Sequence, residues 1–185
     1  SSEMRYLAQT YNDLYESSRK EQETLSYEAS HDALTGLGNR AMFERVRNDC
    51  DPATTAMILI DIDYFKEVND TYGHETGDQL LKRAAKVFRA SFRSEDCVCR
   101  IGGDEFVVVL ENSDYKNIDD LLAQFNGQLD EMARDEALEP WERISAAIGV
   151  AFYDPAADSS AETVFKRADK AMYIRKKEMK AVRSE

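Results

Sequence analysis

The sequence has too few cysteines for a disulfide framework and no long apolar run. Its three cysteines, Cys50, Cys97 and Cys99, cannot all pair with one another, which indicates a reducing compartment. They form no CxxC pair either, so we do not expect a zinc site. The longest apolar runs, such as AMILI, are far too short to cross a bilayer, and no signal peptide is recognisable. These absences favour a globular protein that works in a reducing compartment.

Positive charge is also scarce. The formal net charge is -12, which argues against a nucleic-acid groove because such a groove needs a basic stripe. The same charge does not exclude a nucleotide, since a metal ion and a few local lysines can hold phosphate on an acidic protein. The length of 185 residues is enough for one ordinary domain and an appendage.

The first 30 residues predict a helix that precedes the domain. They contain no glycine or proline, and apolar residues recur at helical spacing at Met4, Leu7, Tyr11 and Leu14. The pattern then lapses before it recovers at Leu25. Two interpretations therefore stay open: a coiled-coil-like signalling helix, or a solvated lead-in helix whose partner surface lies further upstream.

The rest of the chain alternates helical and strand patterns and predicts an α/β (α+β) fold. The continuous apolar run of TAMILIDID is typical of a buried strand. CVCRI and EFVVVL predict a hairpin, whose turn would use positive φ at Gly102 and Gly103. We expect a mixed sheet with helices packed on it, because the order is helix, strand, helix, hairpin, helix, strand, helix.

Two pairs of acidic residues stand at the ends of these strands. Asp61 and Asp63 follow the buried strand, and Asp104 and Glu105 occupy the predicted hairpin turn. If these elements are neighbours in the sheet, the four carboxylates converge on one small volume. Gathering like charges is costly unless a cation holds them, and Mg²⁺ prefers such hard oxygen ligands. The spacing of an EF-hand is absent, which makes calcium the weaker candidate.

A turn that could bind phosphate follows the buried strand. The segment DIDYFKEVND places Phe65, Lys66 and Asn69 where free backbone N–H groups at a helix start could meet phosphate. No GxxxxGK[ST] sequence is present, so a Walker-type phosphate loop is excluded. Carboxylates, a metal and a phosphate-binding turn together are typical of two-metal phosphoryl or nucleotidyl transfer.

An ordered series of motifs resembles the GGDEF diguanylate cyclase family from about residue 31 to 180. The series is DALTGLGNR, DIDYFKEVNDTYGHETGDQLL, RSEDCVCRIGGDEF, SAAIGVA and ADKAMY. The resemblance implies a ferredoxin-like fold related to nucleotidyl cyclases and polymerase palm domains, over residues 31–185. It also implies condensation of two GTP into cyclic di-GMP and two pyrophosphates.

The resemblance assigns the acidic residues to metal binding and catalysis. Asp61 and the backbone carbonyl of Ile62 are expected to bind metal, with two Mg²⁺ (or Mn²⁺) ions per active site. Asp104 and Glu105 are expected to share metal binding and activation of the attacking 3′-hydroxyl. We favour Asp104 as the base and Glu105 as a ligand, with both close to the metals.

The family also implies a set of substrate contacts. Asn69 and Asp78 are similar to the residues that read guanine, and a carboxylate that accepts from N1–H and N2–H₂ has no comparable partner on adenine. The remaining expected contacts, with the base, the phosphates or the backbone beside them, are Phe65, Lys66, Gly102, Gly103, Lys176 and Lys180. Where the family often continues AKxxGRN, this chain has RKKEMKA, and Lys180 replaces the usual arginine with a side chain that lacks the bidentate fork.

Regulation and partners are expected from the same resemblance. The segment RSED, Arg93 to Asp96, lies where the family has an inhibitory RxxD site that binds the product cyclic di-GMP. A homodimer is expected because one domain presents one GTP and the product has two equivalent linkages. We also expect a missing upstream sensor domain, and a cytoplasmic location that is compatible with a membrane-bound sensor protein.

Three alternatives to this interpretation exist. An HD-type phosphohydrolase is disfavoured, because His74 is the only histidine besides His31. A catalytically weak cyclic di-GMP or GTP receptor is the strongest rival, although the acids and glycines of GGDEF are intact. The third alternative is a GTP-binding dimerisation domain. Metal-dependent turnover of GTP would distinguish the enzyme from both binding modules.

Overall fold

The computed structural model describes residues 1–111 and 115–183 of the chain. The helices are α1 (Ser2–Ser30), α2 (Arg40–Asp49), α3 (Phe65–Tyr72), α4 (His74–Ser91), α5 (Tyr115–Arg134) and α6 (Ala161–Arg183). The strands are β1 (Ala56–Ile62), β2 (Cys97–Arg100), β3 (Glu105–Leu110) and β4 (Ala146–Phe152). None of the helices in this part of the chain is both long enough and apolar enough to span a membrane.

The predicted N-terminal helix is confirmed as α1, and it makes little contact with the domain. The Ser1 hydroxyl accepts a hydrogen bond from the Met4 amide (3.3 Å) and so caps its N-terminus. None of its residues is buried. Its large apolar side chains are all more than half exposed: Met4, Tyr6, Leu7, Tyr11, Leu14, Tyr15, Leu25 and Tyr27. The choice between a coiled coil and a solvated helix therefore depends on what lies outside this chain.

The sheet confirms the α+β class and the ferredoxin-like fold, but it is antiparallel rather than mixed. Its strand order is β2-β3-β1-β4, and each neighbouring pair runs antiparallel. The helical crossovers do join parallel strands, β1 to β2 and β3 to β4. Each such pair is separated by one strand of the other pair, so no two parallel strands become neighbours. The expectation of a mixed sheet was wrong for this reason.

Strand β1 lies at the centre of the fold and is buried along its whole length. Its alternate side chains enter two apolar layers, which explains why its sequence is a continuous apolar run. On one face Ile58 and Ile60 pack with α4 and α5, where Phe88 and Phe125 are fully buried. The opposite face of the sheet carries Met57 and Leu59 and is covered by α2 and α6.

Helix α6 is fixed closely against the sheet. A Cβ atom at Gly149 of β4 would lie 2.2 Å from the Ala168 carbonyl oxygen and from the Met172 amide nitrogen, so only glycine permits this approach. At the start of the helix, Arg167 donates to the carboxylate of Asp158 and to the Phe152 carbonyl. The hydrogen bond from Arg167 lowers the pKa of Asp158 to about 2. These contacts set the position of the rest of α6, which runs past the end of β1.

Candidate active site

The register of the central strands brings the acidic residues together. Asp61, near the end of β1, pairs directly with Glu105 at the start of β3. The next residue, Ile62, donates its backbone N–H to the Asp104 carbonyl oxygen (3.0 Å). The hairpin tip and the end of β1 are therefore held side by side by backbone hydrogen bonds, and the predicted convergence of Asp61, Asp104 and Glu105 is observed.

Asp61 is a buried carboxylate with one paired and one unpaired oxygen. Its side chain is 4% exposed, and its Oδ2 accepts a hydrogen bond from the Lys176 ammonium (3.0 Å). Its Oδ1 is buried and has no hydrogen-bond partner among the described residues. Burial raises the pKa of Asp61 to about 6, with Asp104 adding to the rise and Lys176 opposing it. An unpaired buried anionic oxygen is costly, and a cation would satisfy it.

Lys176 of α6 is the cation at the centre of this acidic group. Burial acts to lower the pKa of Lys176, but Asp61, Asp104 and Glu105 outweigh it and raise the pKa above its usual value. The pKa of Glu105 is raised by burial first and then by Asp169 and Asp104. Among the described residues, no cluster of three or more Asp, Glu, His or Cys side chains has the geometry of a complete metal site. The donor set nevertheless fits Mg²⁺, since it consists of hard carboxylate oxygens.

Asp63 does not join this group, so the prediction that four carboxylates converge was wrong for one of them. Its Oδ1 accepts from Arg183 at the end of α6 (2.5 Å), and its Oδ2 lies 3.5 Å from the Ser145 hydroxyl. The physical reason is that β1 ends at Ile62, and the chain turns before Asp63 can continue the strand alternation.

A second unpaired polar atom lies where α3 meets α4. The Asn69 side-chain oxygen is buried and has no hydrogen-bond partner in the part of the chain described. A Cβ atom at Gly77 would lie 1.8 Å from that oxygen and 3.4 Å from the Phe65 ring. Asp78 follows Gly77 directly and is exposed. The predicted base-reading residues Asn69 and Asp78 are thus brought to one helix junction, with Phe65 beside them.

The remaining predicted substrate contacts lie in α3, in α6 and at the hairpin tip. Lys66 is exposed in the first turn of α3, and Lys180 is exposed one helical turn beyond Lys176. Gly103 is exposed at the hairpin tip, and Gly102 lies against the Glu105 side chain.

The prediction that the two hairpin glycines need positive φ was wrong. Among the described residues, the only glycines with positive φ are Gly36 and Gly73. The tip spans residues 101–104 rather than a two-residue turn, because the Ile101 amide donates to the Glu105 carbonyl (3.0 Å). A loop of this length closes without left-handed backbone at Gly102 or Gly103.

Sequence reasoning missed an ion pair that supports the hairpin tip. Arg100 donates to the Gly103 carbonyl (3.0 Å) and to both carboxylate oxygens of Asp32 (3.1 and 3.3 Å). Burial acts to raise the pKa of Asp32, but hydrogen bonds from Thr35 and Arg100 outweigh it and lower the pKa. Asp32 lies in DALTGLGNR and Arg100 in RSEDCVCRIGGDEF, but 68 positions separate the two residues, so no local pattern reveals the pair.

The predicted inhibitory pair lies at the opposite end of the sheet. Arg93 donates to both oxygens of Asp96 (2.8 and 3.2 Å) and to the Glu111 carbonyl (3.2 Å). The Asp96 side chain is fully buried. A cavity of about 370 Å³ borders Arg93, Leu110 and Ile118. Because Glu105 begins β3 and Leu110 ends it, roughly 17 Å of strand separates this cavity from the acidic group.

Known proteins resemble the chain in both sequence and structure. The family described as "Diguanylate cyclase, GGDEF domain" matches residues 29–181. The probable diguanylate cyclase DgcE of Escherichia coli is 37% identical over 86% of this chain and 15% of the relative. The diguanylate cyclase TpbB of Pseudomonas aeruginosa is 36% identical over 88% of this chain and 39% of the relative. The chain thus spans well under half the length of these relatives.

One solved structure covers almost the whole chain. It is the coiled coil and GGDEF domain of DgcB from Caulobacter crescentus, in complex with c-di-GMP. The TM-score is 0.79 at 28% identity, over 96% of this chain and 95% of that one.

The contact between Gly77 and Asn69 leads to a stability prediction. We expect Gly77→Ala to lower the free energy of unfolding by about 1–3 kcal/mol, because its new methyl group overlaps the Asn69 side chain. Gly127→Ala is the matched control: Gly127 is exposed in α5 and has no atom within 4 Å of an added Cβ. This control should stabilise the protein by roughly 0.5–1 kcal/mol. Thermal and urea melts measure both, and equal stability of the two variants would contradict the close contact.

Proposed function

Since the chain belongs to the GGDEF diguanylate cyclase family, we propose that it condenses two GTP molecules into cyclic di-GMP and two pyrophosphates. The observation that carries the proposal is the buried Asp61 carboxylate, with one unpaired oxygen, set directly opposite Glu105 at the tip of the GGDEF hairpin. A domain that served only as scaffold would gain nothing from burying these charges together, because their mutual repulsion and desolvation destabilise the fold.

Asp61, Glu105 and the Ile62 carbonyl would hold Mg²⁺ or Mn²⁺, two ions per site, with Asp104 close by. The metal would supply stabilisation of the charge that develops on the phosphates. Asp104 accepts the proton of the 3′-hydroxyl as its oxygen bonds to the α-phosphorus of the second GTP. The bond to the β-phosphate breaks, and pyrophosphate leaves. Lys176 and Lys66 contact the phosphates, and the first backbone N–H groups of α3 add to this binding.

Base selection is proposed for the junction of α3 and α4. The unpaired Asn69 oxygen is a free hydrogen-bond acceptor. The exposed Asp78 is the next residue after Gly77, which packs against that oxygen. Guanine presents N1–H and N2–H₂ donors on one edge, whereas adenine has no amino group at that position. Leaving these acceptors unpaired would penalise ATP, which is why we propose GTP as the substrate.

The active form is proposed to be a homodimer held in part by α1. Each linkage of the product joins the 3′-hydroxyl of one GTP to the α-phosphate of the other, and one domain contains one such site. The exposed apolar side chains of α1 are available to pair with a second copy, in two-fold symmetry. The related DgcB structure contains a coiled coil as well as a GGDEF domain. An upstream sensor domain, beyond this chain, would act through the same helix.

Product feedback is proposed at Arg93 and Asp96. The Arg93 guanidinium borders the 370 Å³ cavity and forms an ion pair with the buried Asp96 carboxylate. Arginine in this arrangement can offer its remaining N–H groups to phosphate or guanine bidentately. If turnover were absent, this pair would instead support the alternative of a cyclic di-GMP receptor.

Removing either hairpin acid should abolish synthesis. We expect Asp104→Ala, Glu105→Ala and Asp61→Ala each to lower the rate of cyclic di-GMP formation from GTP and Mg²⁺ by at least about 100-fold, because each removes a metal or proton contact. Chromatography of the products measures the rate, and Asp119→Ala, an exposed acid on α5, is the control. Wild-type protein that binds cyclic di-GMP without consuming GTP would support the receptor instead.

Activity should depend on protein concentration. Specific activity should fall on dilution, and deletion of residues 1–28 should shift this fall to higher concentration, because α1 raises the effective concentration of the second domain. Analytical ultracentrifugation over the same range reports the fraction of dimer. A specific activity that stays constant down to concentrations where only monomer is present would contradict the dimer.

Feedback should require Arg93. We expect Arg93→Ala to raise the concentration of cyclic di-GMP that gives half inhibition by at least about tenfold, since a charge-assisted hydrogen bond is lost. Arg134→Ala, at the exposed end of α5, is the matched control. Melting curves confirm that the variant is folded. Equal inhibition of the Arg93 and Arg134 variants would show that RSED has no role in feedback.

A further inference from the structure

Helix α6 continues past Met179 as far as Arg183. The family often has glycine in AKxxGRN, whereas this chain has Met179 at that position and no glycine between there and the end of the helix at Arg183. Methionine is a good helix former, and glycine commonly terminates helices. The helix therefore continues through Met179, and Arg183 lies at its C-terminal end.

The continuation places two cations on one face of α6. Lys176 and Arg183 are seven residues apart, which is close to two full helical turns. Lys176 binds Asp61, and Arg183 binds Asp63, two residues further along the chain. The two acidic residues of DID are thus held by one helix face, but only the first belongs to the acidic group of the candidate site.

Arg183 contacts Asp63 and Tyr64, which form the turn between β1 and α3. Its guanidinium donates to Asp63 Oδ1 (2.5 Å) and lies 4.0 Å from the centre of the Tyr64 ring. Its Nε also donates to the Met179 carbonyl (3.2 Å), which orients the side chain. The three contacts leave the Arg183 side chain 27% exposed and the Asp63 side chain 8% exposed.

The turn at Asp63 and Tyr64 includes an unfavourable backbone conformation. Tyr64 has φ of 61°, and it is the only non-glycine residue with positive φ in residues 1–111 and 115–183. Such a conformation is held only where the surroundings enforce it. A cavity of about 400 Å³ borders Asp63, Tyr64, Val68 and Tyr72, and Tyr64 is 43% exposed, so apolar packing around the turn is incomplete. The contacts with Arg183 therefore contribute to holding its conformation.

We propose that Arg183 is a positioning residue for the phosphate-binding turn. By holding Asp63 and Tyr64, it sets the direction of the first N–H groups of α3 and so the affinity for the GTP phosphates. The inference rests on the proposed function.

The test compares the GTP dependence of four variants. Arg183→Ala should raise KM for GTP about tenfold with a smaller change in kcat, because the turn contacts substrate and not the attacking hydroxyl. Asp63→Asn should act in the same direction, and the double variant should be no worse than Arg183→Ala, since both changes break one contact. Arg175→Ala, whose side chain is exposed on α6 and pairs with Glu178, is the matched control.

Hydrogen exchange supplies a second readout that does not depend on turnover. The Asp63 amide donates to the Ser145 carbonyl (2.7 Å) and the Val68 amide to the Tyr64 carbonyl (2.9 Å). Both should exchange faster in Arg183→Ala than in Arg175→Ala, in protein without metal or nucleotide, while the amides of α4 stay unchanged.

The outcomes separate this inference from the proposed function. Wild-type protein that makes no cyclic di-GMP would overturn both. An active wild type with the same KM in the Arg183 and Arg175 variants would overturn this inference alone. Additive effects of Arg183→Ala and Asp63→Asn, or unchanged exchange at Asp63 and Val68, would likewise show that Arg183 does not act through the turn.

Discussion

The contact between the Asp61 carboxylate and the Lys176 ammonium is the constraint on which the site depends. The Asp61 side chain is 4% exposed and that of Lys176 is 33% exposed, so the cost of desolvation falls mainly on the carboxylate, which the ammonium stabilises only in a fixed geometry. That geometry requires β1 to end beside α6, and α6 is held there by the close approach at Gly149 and by the ion pair of Asp158 with Arg167. The contacts that attach α6 to the sheet therefore also determine the position of Lys176 and the electrostatics of the site.

The pairing of β1 with β3 in the antiparallel sheet determines where the hairpin acids lie relative to Asp61. Once β1 and β3 pair in the observed register, Glu105 lies opposite Asp61, and the hairpin tip cannot be elsewhere. Arg100 then joins the tip to Asp32, two residues after the end of α1. The Arg100 amide also donates to the Gly38 carbonyl, so backbone and side-chain contacts both connect this segment with the hairpin.

Much of this arrangement could be predicted from sequence, and the exceptions have physical causes. The apolar run of β1, the period of α4 and the acids at strand ends are local patterns, so they indicated the elements and three of the converging carboxylates. Strand order depends on crossovers, which is why the antiparallel sheet was missed. The contacts Arg100–Asp32 and Arg183–Asp63 join distant positions. The left-handed backbone fell on Tyr64 rather than on a hairpin glycine, because tertiary contacts enforce it there.

The charge distribution on α6 is compatible with the proposed polyanionic substrate on an acidic protein. The net charge of -12 would repel a triphosphate, yet basic residues outnumber acidic ones along α6 and include Lys176, Lys180 and Arg183 in its second half. Cations near a helix C-terminus are favoured by the partial negative charge of the unpaired carbonyls. Lys180 and Arg183, in the last turn, therefore stabilise the helix, and Lys180 is also a proposed substrate contact. A locally positive surface can be maintained in this way without changing the overall charge of the domain, and repulsion from the rest of the surface is screened within about 8 Å at physiological ionic strength.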